Sequence, residues 1–180
     1  MIHPDCEKIL ITKEQLENRI KEVALLVNKD YAGKAPIVVS ILKGSVIFCA
    51  DLIRLLTMPI ELEFMVVSSY GSGTVSSGKL KIKKDLDRNI TGKDIIIVED
   101  IIDSGFTLAN LKTLLLERGA KSVKIITLLN KVARREYDIA PDYNCFDIED
   151  EFVIGYGLDY NEIYRSLPYI GILKRSVYER

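Results

Sequence analysis

Apolar residues run along this chain in two rhythms. Over TKEQLENRIKEVALLVNKD (12–30), Leu16, Ile20, Val23 and Val27 recur three or four apart and share one helical face. Thr12 followed by Gln15 is a capping-box pattern, so a helix is predicted to start there. After the break GKAP, the run IVVSIL (37–42) is continuously apolar or small, as in a strand covered on both faces. KGS predicts a turn, and VIFCADLIRLL a helix ended by Pro59. IELEFMVVS (60–68) is strand-like and alternates in its first half. SYGSGTVSSGK (69–79) is rich in Gly and Ser and has no period, which predicts a mobile loop between hairpin strands, with LKIKKDL returning. DIIIVE (94–99) reads as a third buried strand. TLANLKTLLLER follows as a helix with Leu108, Leu111 and Leu115 inward, Arg118 in the last turn and Gly119 as its stop. SVKIITLL (122–129) is a fourth strand, and YNCFDI, FVIGYG and YIGIL are shorter ones.

Strands alternating with helices imply right-handed βαβ units: an α/β fold with a doubly wound, mostly parallel sheet flanked by helices. Ligands of such sheets bind beyond the carboxyl ends of the strands. That places the functional weight on Lys43-Gly44, on Glu99 to Thr107 and on Lys131.

Composition narrows this further. With 180 residues, 48% of them hydrophobic and 28% charged, the chain has enough for one core, and no linker divides residues 1–180. A formal charge of −1 gives no global reason to expect nucleic acid or an anionic membrane as partner. The single histidine, His3, and the scattered Cys6, Cys49 and Cys145 form no zinc-ligand spacing or disulfide framework, which points to a reducing compartment. No apolar run reaches the ~18–20 residues that span a bilayer, and MIHPDCEK lacks the regions of a signal peptide. A cytoplasmic protein is expected.

The chemistry concentrates in VEDIIDSGFTL (98–108). A lone Asp or Ser before a helix is an ordinary cap. Here Glu99, Asp100, Asp103, Ser104, Gly105 and Thr107 crowd into nine residues. The turn offers free N–H groups, two hydroxyls and a helix N-terminus, a natural phosphate cradle. The two acids beside it repel a bare phosphate and suit sugar hydroxyls or Mg²⁺.

This stretch resembles the 5-phosphoribosyl 1-diphosphate (PRPP) signature of type I phosphoribosyltransferases. LKGS (42–45), SSYGSGTVSSG (68–78) and FVIGYGLDYNEIYRSLPYIG (152–171) resemble the hypoxanthine-guanine members in order and spacing, over nearly the whole chain. The resemblance implies that family's fold, with a small hood subdomain and a flexible β-hairpin loop, in a single phosphoribosyltransferase domain. It implies transfer of a phosphoribosyl group from PRPP to a nitrogen of hypoxanthine or guanine, with Mg²⁺ as cofactor. It also implies a homodimer or homotetramer with no membrane or nucleic-acid partner.

By the same resemblance, Glu99 and Asp100 hold the ribose hydroxyls and reach metal. Asp103 faces purine N7 as general base. Ser104, Gly105, Phe106 and Thr107 wrap the 5-phosphate. Lys43 and Gly44 bind diphosphate through a loop that often carries a cis peptide, and Arg165 clamps the same group. Lys131 donates to the purine 6-oxygen, Phe152 stacks on the base, and Val153 meets the base edge through its backbone. Asp159 belongs to the purine side of the site and ligates a second Mg²⁺. Ser69 and Tyr70 match the residues that close the site, with Gly71, Gly73 and Gly78 as hinges. The sequence departs from the family pattern at Asn130-Lys131-Val132, commonly Asp-Lys-Pro, at Glu151, commonly Lys, and at Asn144-Cys145, where a Gly is expected. Two alternatives keep the fold: a xanthine-preferring enzyme, and a nucleotide-sensing RNA-binding regulator. The regulator calls for a clustered basic face, whereas Lys and Arg are spread along this chain and balanced by acids.

Overall fold

A computed structural model describes residues 2–69 and 80–179. The chain opens with β1 (Cys6–Ile11) and then α1 (Lys13–Asp30). The Thr12 hydroxyl accepts from the Gln15 N–H at 3.2 Å, and the Gln15 side-chain Oε1 accepts from the Thr12 N–H at 2.8 Å, so both halves of the capping box form. The buried stripe of α1 is Leu16, Ile20, Val23, Ala24 and Val27.

Six strands make the main sheet: β2 (Ile37–Ile41), β3 (Glu61–Ser69), β4 (Leu80–Lys84), β5 (Asp94–Ile102), β6 (Ser122–Asn130) and β7 (Tyr143–Asp147). Their spatial order is β4-β3-β2-β5-β6-β7. All pairs are parallel except β3 with β4. On one face Val38, Ile96, Val98, Ile126 and Leu128 pack with α1 and with α2 (Val46–Ile53). On the other, Ile37, Val39, Ile95, Ile97 and Ile125 pack under Leu108, Leu111 and Leu115 of α3 (Phe106–Glu117). Alternate residues of one strand thus serve opposite cores, which is why the runs read as continuously apolar. Each fully buried side chain, Phe48 or Leu111 for instance, contributes ~1.5–3 kcal/mol of transfer free energy.

A second, three-stranded antiparallel sheet has the order β1-β9-β8, with β8 at Val153–Ile154 and β9 at Ile170–Leu173. It is the hood. A short helix, α4 (Arg175–Tyr178), closes the chain.

Several elements differ from the sequence reading. β1 has no local signal: CEKILI is held by β9, more than 150 residues away, through pairs such as Cys6 with Leu173. α2 stops at Ile53, well short of Pro59. Asn28 of α1 satisfies the loosened end, donating to the Leu55 carbonyl at 2.9 Å and accepting the Thr57 N–H at 2.8 Å. β5 does not end at Glu99. It continues to Ile102, paired with β6 through Ile101–Leu129 and Ile102–Asn130. On β3 it is Glu63 that is buried, held by the Arg88 guanidinium at 2.7 Å, while Leu62 faces outward. Of FVIGYG only Val153–Ile154 is strand. Ser69 ends β3 opposite Leu80. Tyr70 and the hinge glycines Gly71, Gly73 and Gly78 lie outside the described residues. Among the described residues no helix is long and apolar enough to cross a membrane.

Candidate active site

Parallel pairing brings the carboxyl ends of β2, β5 and β6 side by side. Glu99 and Asp100 lie in the second half of β5 as half-buried carboxylates. One Asp100 oxygen accepts the Ile101 N–H at 2.7 Å. The Oε2 of Glu99 is buried with no partner among the described residues. Burial, and then the neighbouring Asp100, push Glu99 well above the usual carboxylate range. Burial pushes Asp100 up to about 6, against the pull of the Ile101 N–H and of Arg165.

Beyond β5 the chain turns through Asp103, Ser104 and Gly105 into α3. Gly105 is the N-cap residue at φ 88° and has no side chain to cap with, while the Ser104 hydroxyl accepts the Phe106 N–H at 3.3 Å. Of the two candidate caps, Asp103 and Ser104, it is Ser104 that bonds the helix start; the Asp103 side chain is 48% exposed and faces Arg134. A side chain at 105 would collide with an Ile139 methyl and the stem of Arg135, so both backbone conformation and space demand glycine. The free end of α3 opens on a cavity of about 100 Å³ lined by Glu99, Asp103, Ser104, Gly105, Phe106 and Thr107. Anions are stabilised at such a helix N-terminus.

At the end of β2 the Leu42–Lys43 peptide is cis. Gly44 packs so closely that a methyl group there would overlap the Asp100 carboxylate. Arg165 faces this loop from the hood side. Its Nη1 donates to the Gly157 carbonyl at 2.8 Å, and its Nη2 reaches Asp159 at 2.9 Å and Glu162 at 3.2 Å. Its Nε is buried with no partner among the described residues. Glu162 also takes Lys43 at 3.0 Å, so one carboxylate joins the two cations assigned to diphosphate. These bonds hold Glu162 below its ordinary range. Both Asp159 oxygens are engaged, one by Arg165 and one by the Glu162 N–H.

Lys131 follows β6 and is only 7% exposed; its N–H donates to the Ile102 carbonyl and its ammonium lies 3.5 Å from Asp150. Arg134 lies between Asp150 (3.7 Å) and the Asp103 carboxylate (3.5 Å), so an ion chain links the assigned base with the assigned 6-oxygen donor. Phe152 is 38% exposed, stacked on Tyr178 at 4.9 Å and edge-on to Tyr160 at 5.6 Å. Val153 is buried in β8, paired with Ile172.

Contacts therefore join Lys43, Gly44, Asp100, Asp159 and Arg165, one cavity gathers Glu99 with Asp103 to Thr107, and an ion chain links Asp103 to Lys131; Phe152, Val153 and Ser69 are held by other neighbours, and Tyr70 lies outside the described residues. Arg134, Arg135, Asp150, Glu162 and Tyr178 were missed. Their only signal is nearness in sequence to a site residue; nothing distinguishes them from surface charge or a chain end. Among the described residues no three metal-ligating side chains are assembled. The Glu99–Asp100 pair fits a divalent cation that takes its remaining ligands from substrate and water, as Mg²⁺ does. The bare Glu99 Oε2 is the donor such an ion would use.

A sheet of this order, with a carboxylate pair beside a helix N-terminus and a hood, defines a type I phosphoribosyltransferase. The phosphoribosyl transferase domain model matches residues 10–161, and the chain belongs to that family. Among its relatives are the hypoxanthine-guanine phosphoribosyltransferases of Streptococcus thermophilus strain CNRZ 1066, 51% identical over 180 residues covering both chains in full, and of Bacillus subtilis strain 168, 50% identical over 179 residues and 99% of each chain. The crystal structure of a Staphylococcus aureus hypoxanthine phosphoribosyltransferase superposes with a TM-score of 0.95 at 47% identity, covering 99% of this chain and 97% of that one.

Proposed function

We propose that the chain, as one phosphoribosyltransferase domain over residues 1–180, transfers the 5-phosphoribosyl group of PRPP to hypoxanthine or guanine in purine salvage, releasing diphosphate. One observation carries the reading. Of three buried side-chain atoms without a partner among the described residues, Glu99 Oε2 and Arg165 Nε lie in this one crevice, an acceptor and a cationic donor. A ligand with hydroxyls or a cation at one end and a polyanion at the other completes both, and PRPP with Mg²⁺ is such a ligand.

In this reading Ser104, Gly105, Phe106 and Thr107 hold the 5-phosphate at the α3 N-terminus. Glu99 and Asp100 hold the ribose hydroxyls. Lys43, Gly44 and Arg165 take the diphosphate as Glu162 gives way. Glu99 and Asp100 would hold one Mg²⁺ and a released Asp159 a second, and the ions would supply charge neutralisation for the leaving diphosphate. Asp103 accepts the proton from purine N7. Lys131, with donors only, selects a 6-oxo over a 6-amino base. Phe152 supplies a stacking face worth ~1–3 kcal/mol, and the Val153 backbone meets the base edge. Ser69 and Tyr70 close the site against water, which would otherwise trap the oxocarbenium-like species. Exposed Val46, Leu62, Leu25 and Leu26 are apolar area suited to a homodimer or homotetramer. Three free, buried cysteines suit the cytoplasm.

The test is a turnover panel with PRPP, Mg²⁺ and each of hypoxanthine, guanine, xanthine and adenine. Nucleotide from hypoxanthine or guanine is expected. Product from xanthine alone replaces the substrate, and no product from any base removes the enzyme reading.

A further inference from the structure

Lys131 and Asp103 follow the ends of different strands, β6 and β5, and the segment between Val132 and Ile139 ties them together. A single 3₁₀ turn (Val132–Arg134) reverses the chain after Lys131 and aims Arg135 back at the phosphate turn. Arg135 Nε donates to the Asp103 carbonyl at 3.2 Å, its Nη2 donates to the Asn130 side-chain oxygen at 2.5 Å, and its Nη1 donates to the Ile139 carbonyl. Asn130 is itself held by Asp147 of β7 at 2.7 Å. The N–H groups of Glu136 and Tyr137 both donate to the Ser104 carbonyl, at 2.9 and 3.1 Å. Tyr137 packs edge-on against Phe106. Gly105 presses on the Arg135 stem.

All three Arg135 acceptors are neutral, two carbonyls and an amide. Neighbouring Arg134 instead pairs with carboxylates and is half-exposed. Arg135 therefore works by shape: a rigid planar fork spans three chain segments at once, which an ammonium cannot do.

We propose that Arg135 is a positioning residue that locks the Asp103–Thr107 turn to the Asn130–Lys131 strand end, so that one guanidinium governs both phosphate affinity and discrimination between 6-oxo and 6-amino purines. The inference rests on the phosphoribosyl-transfer reading. Asn130 is then the base-side anchor of the clamp, which gives the departure at that position a role.

Calorimetric binding on the full chain separates the two arms, with ribose 5-phosphate probing the turn and the affinity ratio of inosine to adenosine monophosphate probing Lys131. Neither readout depends on the fraction of active protein. One lost or misdirected hydrogen bond is worth up to about tenfold. Arg135→Lys is expected to weaken ribose 5-phosphate about tenfold and to lower the inosine-to-adenosine ratio several-fold. Asn130→Ala leaves the two carbonyl bonds in place, so the ratio falls while ribose 5-phosphate stays within about twofold. If Arg135→Lys does not fold, Asn130→Ala decides alone, and an unchanged ratio overturns the proposal. Folded variants that both bind as wild type overturn it as well. A wild type that binds no inosine monophosphate instead overturns the phosphoribosyl-transfer reading, and the clamp's role with it.

Discussion

The two ends of β5 carry the same kind of residue in opposite conditions. At the start, Asp94 is satisfied by the chain itself: the Ser122 hydroxyl donates to it at 2.6 Å and Lys121 lies 3.9 Å away. Its neighbour Asp142 takes the Ile125 N–H at 2.8 Å and Lys124 at 2.7 Å. At the far end, Glu99 has a buried oxygen with no donor among the described residues, and Asp100 is pushed up to about 6 by burial. Four residues lie between the finished carboxylate, Asp94, and the unfinished one, Glu99. A fold that only needed to be stable would pair or remove the second set, since an unsatisfied buried charge costs several kcal/mol. The carboxyl end of the strand is built for a ligand and the amino end for the chain.

The largest effect expected is at the unfinished end. Replacing Glu99 by Gln together with Asp100 by Asn should lower kcat/KM for nucleotide formation by roughly 10²–10³-fold, while thermal unfolding at pH 7.5 moves upward. A variant that is both inactive and less stable would erase the contrast between the ends. Next comes Lys131, 7% exposed, against Lys124, whose side chain is 49% exposed. Lys131→Gln should lose about 10–100-fold in kcat/KM with hypoxanthine, the value of a charged hydrogen bond, whereas Lys124→Gln should change it less than about twofold. The smallest effect is at the finished end. Asp94→Asn should cost about 1 kcal/mol, read as a fall of about 2–4 °C in Tm, with kinetics unaltered. Altered kinetics there would mean that the two ends are coupled.

Much of this was legible in the sequence. The period of α1, its capping box and the continuous runs of β2, β5 and β6 depend on local pattern and on burial from both faces, so they can be read directly. The acidic run also announces itself, because three acids beside Ser-Gly conflict with a plain strand end. Other parts depend on distant partners. β1 exists only because β9 returns to it from the other end of the chain. The end of α2 is set by Asn28. The burial of Glu63 is compensated by Arg88, twenty-five positions on. Arg135 shows the same limit in the site: its three acceptors come from separate segments, and no spacing rule collects them.

The pH dependence of stability tests the unfinished strand end most directly. Asp100 titrates at about 6 in the folded chain and near 3.9 when unfolded. Between those values the folded state holds more protons, so stability falls as pH rises through the window, by on the order of 2 kcal/mol once Asp100 is ionised. Glu99, also raised, acts in the same direction. Asp85 and Glu162, lowered by Arg118 and by Lys43, act the opposite way at more acid pH, and they cancel in the difference between wild type and the Glu99→Gln/Asp100→Asn variant. The measurement is Tm from pH 4 to 7.5 for both proteins, with and without PRPP and Mg²⁺. Wild type should lose ground to the variant as pH rises and recover it when the ligand is added. Parallel curves that PRPP and Mg²⁺ leave unmoved would contradict the claim that Glu99 and Asp100 await a ligand.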